Sequence, residues 1–367
     1  MIYLDSAATT LRKPEAVYQG VLRTMRRCSG VGRGGHEAAM RAAEVVHACR
    51  VEAGRLFDAE PEQVVFTMNA THGLNIAIRS LCRPGMSVAI SGYEHNAVTR
   101  PLYAMGARLM IAGRELFRPE HAIEQFKLAL DRGAELVVCT CCSNVFGYIL
   151  PVQEIGALCR KRNVPFILDA SQAAGSLPVS LRNSGAAFIA MPGHKGLYGP
   201  QGTGILLCGS VGEPLLYGGT GGQSAQQQMP SVLPDRLEAG THNVCGIGGL
   251  LEGLRYVRRR GVQRIRQKEQ QLLTVLCREL SAMEKIQLFR GPEQSGVLSL
   301  RVKGRDCEEV AQVLAEQGVA CRAGLHCAPL AHESAGTAPG GTVRLSVSDG
   351  NTEQEIRQFL RICKKIL

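Results

Sequence analysis

Two stretches decide the fold: Pro165-Phe166-Ile167-Leu168-Asp169-Ala170-Ser171-Gln172 and, further on, Ala187-Phe188-Ile189-Ala190-Met191-Pro192-Gly193-His194-Lys195. Each opens on a run of apolar residues and passes into a polar turn. An unbroken apolar run of this length, bounded by turn residues, reads as a strand covered on both faces. The same form recurs at Val64-Val65-Phe66-Thr67, Ser87-Val88-Ala89-Ile90 and Glu135-Leu136-Val137-Val138-Cys139. Helix-length segments separate these runs, which implies right-handed crossovers and a mostly parallel sheet. Loops at the C-terminal ends of such strands are free to carry a site.

Working outward, this α/β pattern defines a large domain over residues 14–255. Beyond a long basic helix the character changes near residue 285, where Leu298, Leu300 and Val302 alternate as in a half-buried strand. A helix is expected from Asp306, with Glu309 as capping-box partner, to Gly318; another starts at Thr352 with Glu355 in the same role and buries Ile356, Phe359, Leu360 and Cys363. Residues 256–367 therefore read as a smaller α+β domain, completed by the N-terminal segment 1–13. The Gly218-Gly219-Thr220-Gly221-Gly222 stretch has little to bury and reads as a mobile loop.

A chain of 367 residues with 45% hydrophobic and 20% charged residues can build a large core, which excludes disordered and fibrous classes. No apolar run is long enough for a membrane span, and Met1-Ile2-Tyr3-Leu4-Asp5 lacks the basic and apolar parts of a secretion signal, so a cytoplasmic location is expected. Fourteen cysteines then read mostly as small buried hydrophobes rather than a disulfide framework. The net charge of +10 is scattered except for Arg255, Arg258, Arg259, Arg260, Arg264, Arg266 and Lys268. Helical spacing makes that cluster most simply a solvated face; an acidic protein partner suits it better than nucleic acid, because no binding fold or interleaved aromatics accompany it.

The chemistry begins at Lys195, which follows an apolar strand and stands among glycines. A surface turn is the common fate of a Lys-Gly pair. Asp169, 26 residues earlier at the end of another apolar strand, changes that reading. It could cap a helix, yet an amine and a buried carboxylate at neighbouring strand ends are what pyridoxal phosphate requires: the amine holds the aldehyde, and the carboxylate keeps the ring nitrogen protonated. Asn69-Ala70-Thr71-His72-Gly73 lies where a strand turns into a helix, so the free N–H groups of Ala70 and Thr71 suit a phosphate, although Thr71 could equally be an N-cap.

From Tyr3-Leu4-Asp5-Ser6-Ala7-Ala8-Thr9-Thr10 to Val343-Arg344-Leu345-Ser346 the sequence resembles the class V aminotransferase family of fold-type I pyridoxal-phosphate enzymes, and within it the cysteine desulfurases. The resemblance implies that Lys195 is the Schiff-base lysine, Asp169 the pyridinium partner, Gln172 a donor to the ring hydroxyl and His95 the residue stacked on the ring. It places Asn144 beside cofactor or substrate, adds His194 to the phosphate contacts, and brings Thr241 from a partner subunit, making a homodimer necessary. One departure is Pro192, where the family usually has Ser or Thr; a phosphate contact is lost or replaced there.

Cys327, in Arg322-Ala323-Gly324-Leu325-His326-Cys327, lies in a Gly- and His-containing turn, and the cationic groups of Arg322 and His326 would favour its thiolate. This pattern resembles the second group of cysteine desulfurases, which carry the persulfide-forming cysteine on a short loop; many of those have His at the position of Leu325. Cys321 is the lesser competitor, because it continues an apparent strand. Arg344 suits a two-pronged grip on an α-carboxylate, and His36 matches a family segment near the active-site mouth. The implied reaction converts L-cysteine to L-alanine, leaves sulfur on Cys327, and passes it to an acceptor protein. Selenocysteine lyase, cystine lyase and aminotransferase activities remain alternatives on the same scaffold, and a non-catalytic partner-binding role is a further one.

Overall fold

The computed structural model describes residues 1–32 and 34–366. Its strands are β1 (Ile2–Tyr3), β2 (Val64–Thr67), β3 (Ser87–Ser91), β4 (Arg108–Ala112), β5 (Leu136–Thr140), β6 (Phe166–Asp169), β7 (Phe188–Pro192), β8 (Gly204–Cys208), β9 (Ile286–Phe289), β10 (Val297–Val302), β11 (Val319–Ala320), β12 (Arg322–Gly324) and β13 (Thr342–Ser346). Seven of them form a sheet in the order β2-β8-β7-β6-β5-β3-β4. The five from β7 to β4 run parallel, and β8 lies antiparallel to both of its neighbours. The mostly parallel α/β architecture expected from the apolar runs is present.

Alternation explains how those runs are buried. Val64 and Phe66 face one core while Val65 faces the other; Ala89, Val137, Cys139 and Ile189 share the first, and Val88, Ile90, Val138 and Ala190 the second. Both faces carry helices, as continuous apolar strands demand.

A second sheet, β12-β13-β10-β9, is antiparallel throughout, and β1 pairs with β11 in parallel. Its core gathers Leu298, Leu300, Val302, Val310, Leu314, Phe359 and Leu360 with Ile2 and Leu4 of the N-terminal segment. The last helix, Glu353–Ile366, buries Ile356, Phe359, Leu360 and Cys363, and its capping box forms: the Thr352 N–H donates to Glu355 Oε2 and the Glu355 N–H to Thr352 Oγ1. The box expected at Asp306 is half made. Asp306 caps the N–H groups of Glu308 and Glu309, but the Glu309 carboxylate turns to Arg305 instead of returning to the Asp306 N–H. A nearby guanidinium offers a charged donor, which outcompetes a single amide.

The basic cluster spans two helices, Val244–Arg260 and Val262–Ser281, and it is not a free cationic face. Arg255 pairs with Glu252, Arg258 with Glu52, Arg260 and Lys268 with Asp349, and Arg266 with Glu293. Five of its seven cations are thus paired within the chain while their side chains stay 32–49% exposed, a solvated face with little charge left over for nucleic acid.

Candidate active site

The C-terminal ends of β3, β5, β6 and β7 and the turn after β2 converge on one cavity of about 100 Å³. Ala70 and Thr71 come from the start of the helix Ala70–Leu81, His95 from the loop after β3, and Asn144 from the loop after β5. Asp169 ends β6 and Gln172 follows it, while His194 and Lys195 follow β7. Gly175 and Gly196 let the last two loops lie against each other: a Cβ on Gly175, whose φ is +98°, would come within 2.0 Å of the Gly196 carbonyl oxygen.

Lys195 is half-buried, and its amine is pushed down to about 8, first by burial, then by the Arg344 guanidinium; Asp169 opposes the shift. Desolvation penalises the ammonium, so a reactive neutral amine is accessible near physiological pH. Asp169 is 3% exposed and accepts the Ser171 N–H at 2.9 Å. Gln172 Nε2 donates to the Ala7 carbonyl at 3.0 Å, which leaves its second N–H for another acceptor.

His95 caps the helix Asn96–Ala104, its Nδ1 accepting the Ala97 N–H at 3.0 Å. An accepting Nδ1 places the ring proton on Nε2. Burial, with Asp169 opposing and Lys195 reinforcing, moves the imidazole down to about 4, so His95 is neutral at physiological pH. His194 is likewise held down to about 4, first by burial, and its Nδ1 lies 3.1 Å from the Thr9 hydroxyl.

At the helix start, Asn69 Oδ1 takes the His72 N–H and the Asn69 carbonyl takes the Gly73 N–H. The Ala70 and Thr71 N–H groups have no partner among the described residues, as an anion cradle needs. Pro192 also lines this cavity and brings neither hydroxyl nor N–H. An amine, a buried carboxylate and a helix-start cradle around one space fit pyridoxal phosphate.

Cys327 is exposed at the rim of this assembly. Its carbonyl accepts the Asn96 N–H at 2.8 Å, and the His326 carbonyl accepts Asn144 Nδ2 at 2.8 Å. Both residues sit in the left-handed region, with φ of +51° for His326 and +57° for Cys327. These docking bonds hold a turn that non-glycine residues disfavour. Arg322 Nη2 lies 3.7 Å from the Cys327 sulfur.

His326 does not supply the second positive charge expected from the sequence. Its ring is buried against Thr342, with Nε2 3.1 Å from that carbonyl, and burial together with the Arg344 charge moves it down to about 2. Cys321 is held up to about 12, first by burial and then by Asp5, which keeps it a protonated, packing thiol.

Arg344 is 1% exposed, with Nη1 donating to the Asn144 carbonyl at 2.9 Å and Nη2 to Asp5 Oδ1 at 2.7 Å. The sequence reading gave Asp5 no role. Only the strand pairing that brings the N-terminal segment beside β13 reveals it: the Ser346 N–H donates to the Leu4 carbonyl and the Ser6 N–H to that of Ser346. Glu94 was missed as well. It lies fully buried beneath His95, accepts the Thr140 N–H at 2.7 Å, and is pushed up to about 8 by burial.

Cys327, Arg322 and Arg344 border this cavity without lining it, and Thr241 and His36 lie away from it within one protomer. Thr241 lines a separate cavity of about 200 Å³ with Thr67, Met68 and His72. Its segment is fixed by the buried Glu238, which pairs with Arg50 and hydrogen-bonds His242. His36 is exposed and caps the helix Glu37–Phe57 through Nδ1; Arg33 of that stretch lies outside the described residues.

A parallel α/β sheet whose strand ends assemble lysine, carboxylate and anion cradle defines a pyridoxal-phosphate enzyme of fold type I. The aminotransferase class-V family model matches residues 2–359, and the chain belongs to that family. A probable cysteine desulfurase of Methanothermobacter thermautotrophicus is 31% identical, covering 97% of this chain and 92% of that protein. One from Pyrococcus abyssi is 30% identical over 100% of this chain and 94% of the relative. Among solved structures, an apo cysteine desulfurase from Thermococcus onnurineus superposes with a TM-score of 0.91 at 28% identity, over 100% of this chain and 94% of that one.

Proposed function

We propose that the protein is a cysteine desulfurase that converts L-cysteine to L-alanine and holds the released sulfur as a persulfide on Cys327. The observation that carries this reading is the docking of the Cys327 turn, through Asn96 and Asn144, onto the loops that wall the Lys195 cavity. The full-length likeness to cysteine desulfurases supports the same substrate.

Lys195 is the attachment lysine and Asp169 the ring-nitrogen partner. Ala70, Thr71 and His194 would hold the phosphate, and Gln172 and the neutral His95 would hold the ring. When bound, pyridoxal phosphate supplies the electron sink that loosens bonds at the substrate Cα and Cβ. The Lys195 amine, depressed toward physiological pH, moves the Cα proton. Arg344 grips the α-carboxylate and Asn144 borders it, which fixes the substrate sulfur toward Cys327.

The Cys327 sulfur then attacks the substrate sulfur. A sulfur–sulfur bond forms as the Cβ–sulfur bond breaks, and the carbon takes a proton to become the alanine methyl group. Arg322 Nη2 donates toward the attacking sulfur at 3.7 Å. An acceptor thiol later removes the outer sulfur, and the exposure of Cys327 suits transfer to another protein.

The short Arg322–Cys327 turn supports assignment to the second group of desulfurases. We further propose a homodimer in which Thr241 completes the partner's phosphate site. The exposed Tyr18, Leu22 and Met25 on one helix support such an interface. The division into residues 14–255 and 256–367, with 1–13 joining the latter, is supported by a second core that gathers Ile2 and Leu4 with residues 272–363, while Ala328 and Ala331 pack into the larger core. Unpaired cysteines throughout and the absence of any helix fit to cross a membrane, among the described residues, support a cytoplasmic setting.

The test is to incubate the enzyme with L-cysteine, selenocysteine, cystine and an amino-acid/keto-acid pair, and to follow alanine, pyruvate and the keto acid formed by transamination. Turnover of L-cysteine that depends on Cys327 supports the proposal, and turnover of another pair alone overturns it.

A further inference from the structure

The guanidinium assigned to the substrate carboxylate is already occupied in part. Arg344 is buried, and Nη2 is tied to Asp5 Oδ1 at 2.7 Å, while Nε is buried with no partner. Asp5 cannot drift away, because the backbones on either side of it are hydrogen-bonded to Ser346, two residues along from Arg344. Its Oδ2 has no hydrogen-bond partner among the described residues, and its side chain keeps 20% exposure.

Arg344 also stands directly opposite Arg322 across the β12–β13 ladder. Two like charges at facing positions repel. A carboxylate is needed there when no substrate is present. Asp5 meets that need, and its charge reaches Lys195, Cys321 and Arg344.

We propose that Asp5 is the resident counter-ion of the substrate-carboxylate site, a positioning residue that holds Arg344 in place and competes with the incoming α-carboxylate for it. This rests on the reading of Arg344 as the carboxylate grip. Substrate enters from the partly exposed Asp5 side and takes over Nη2 as the Asp5 contact weakens, so Asp5 sets the affinity for carboxylates. Ligand is bound more weakly than by a naked arginine, and product alanine is released more readily.

The test compares the holoenzyme with Asp5→Asn, which keeps an oxygen for Nη2 but removes the charge, and with Arg344→Gln. Propionate and uncharged propionamide serve as probes in a thermal-shift titration, alongside KM and kcat for L-cysteine. The expected result for Asp5→Asn is severalfold tighter propionate binding and a KM lowered by a similar factor, with propionamide unaffected. Arg344→Gln is expected to abolish propionate binding and raise KM. If Arg344→Gln leaves both unchanged, the carboxylate-grip reading falls and the inference falls with it. Should Arg344→Gln behave as expected while Asp5→Asn binds propionate equally or more weakly, Asp5 alone has been misread. Asp5→Ser, which also lacks the charge, repeats the measurement if Asp5→Asn fails to fold, and must shift propionate affinity in the same direction.

Discussion

Replacing Asn144 by Leu removes the side-chain bond that holds the turn of Cys327, the proposed nucleophile, without altering Cys327 itself. Asn144 is 8% exposed, and its Nδ2 donates to the His326 carbonyl at 2.8 Å. That turn carries two non-glycine residues at positive φ, each costing about 1–3 kcal/mol unless the surroundings enforce it. Leaving the buried His326 carbonyl unpaired costs about 1–3 kcal/mol, which reduces the ratio of docked to undocked turn by about 5–150-fold. The Asn96 N–H still holds the Cys327 carbonyl, and Arg344 keeps its bond to the backbone carbonyl of residue 144. Alanine formation is expected to fall by up to that factor, while the yellow absorbance of the cofactor persists and alkylation of Cys327 by iodoacetamide accelerates. Unchanged alkylation together with unchanged turnover would refute the claim that this contact positions the nucleophile.

Replacing Lys195 by Ala should abolish both the yellow absorbance and alanine formation; a persisting band would point to another lysine. In apoenzyme, the rate of pyridoxal-phosphate uptake should rise with pH through about 8 and then level off, because the Lys195 amine reacts only when neutral. A flat profile counts against this. Burial pushes Glu238 up, but the His242 hydrogen bond and the Arg50 charge win and hold it below its ordinary value. Its contribution to stability is therefore full above the unfolded carboxylate range and lost as pH falls through the folded value. Glu238→Gln should destabilise by about 3–5 kcal/mol at neutral pH, with the gap in Tm narrowing on acidification. Thr241→Val should weaken retention of the cofactor by dialysis while leaving the dimer intact by light scattering; undiminished retention would remove Thr241 from the phosphate site.

Much of the site was legible because its residues follow apolar strands. Lys195, Asp169, His95 and Asn144 each lie just past a run that could only be an internal parallel strand, and such strands end on one edge of a sheet. The helix ends were readable where capping is local, as at Thr352 and Glu355. Where a nearby charge intervened, as Arg305 does at Glu309, local pattern misled. β8 escaped notice because Gly204-Ile205-Leu206-Leu207-Cys208 follows a glycine-rich turn without a crossover helix, and its antiparallel pairing has no local signal. β12 is three residues long, too short for any period. The charge state of His326 depends on burial by residues distant in sequence, and the role of Asp5 on a pairing that spans nearly the whole chain. Thr241 is a different case, since one protomer does not bring it to the cavity.

The most direct measurement is peptide mass analysis of holoenzyme incubated with L-cysteine in the absence of reductant, run in parallel with Cys327→Ala. One additional sulfur on the Cys327 peptide, matched by one equivalent of alanine, and neither product in the variant, is the predicted outcome. Extra sulfur on Cys321 or any other cysteine, or undiminished alanine from Cys327→Ala, contradicts the account.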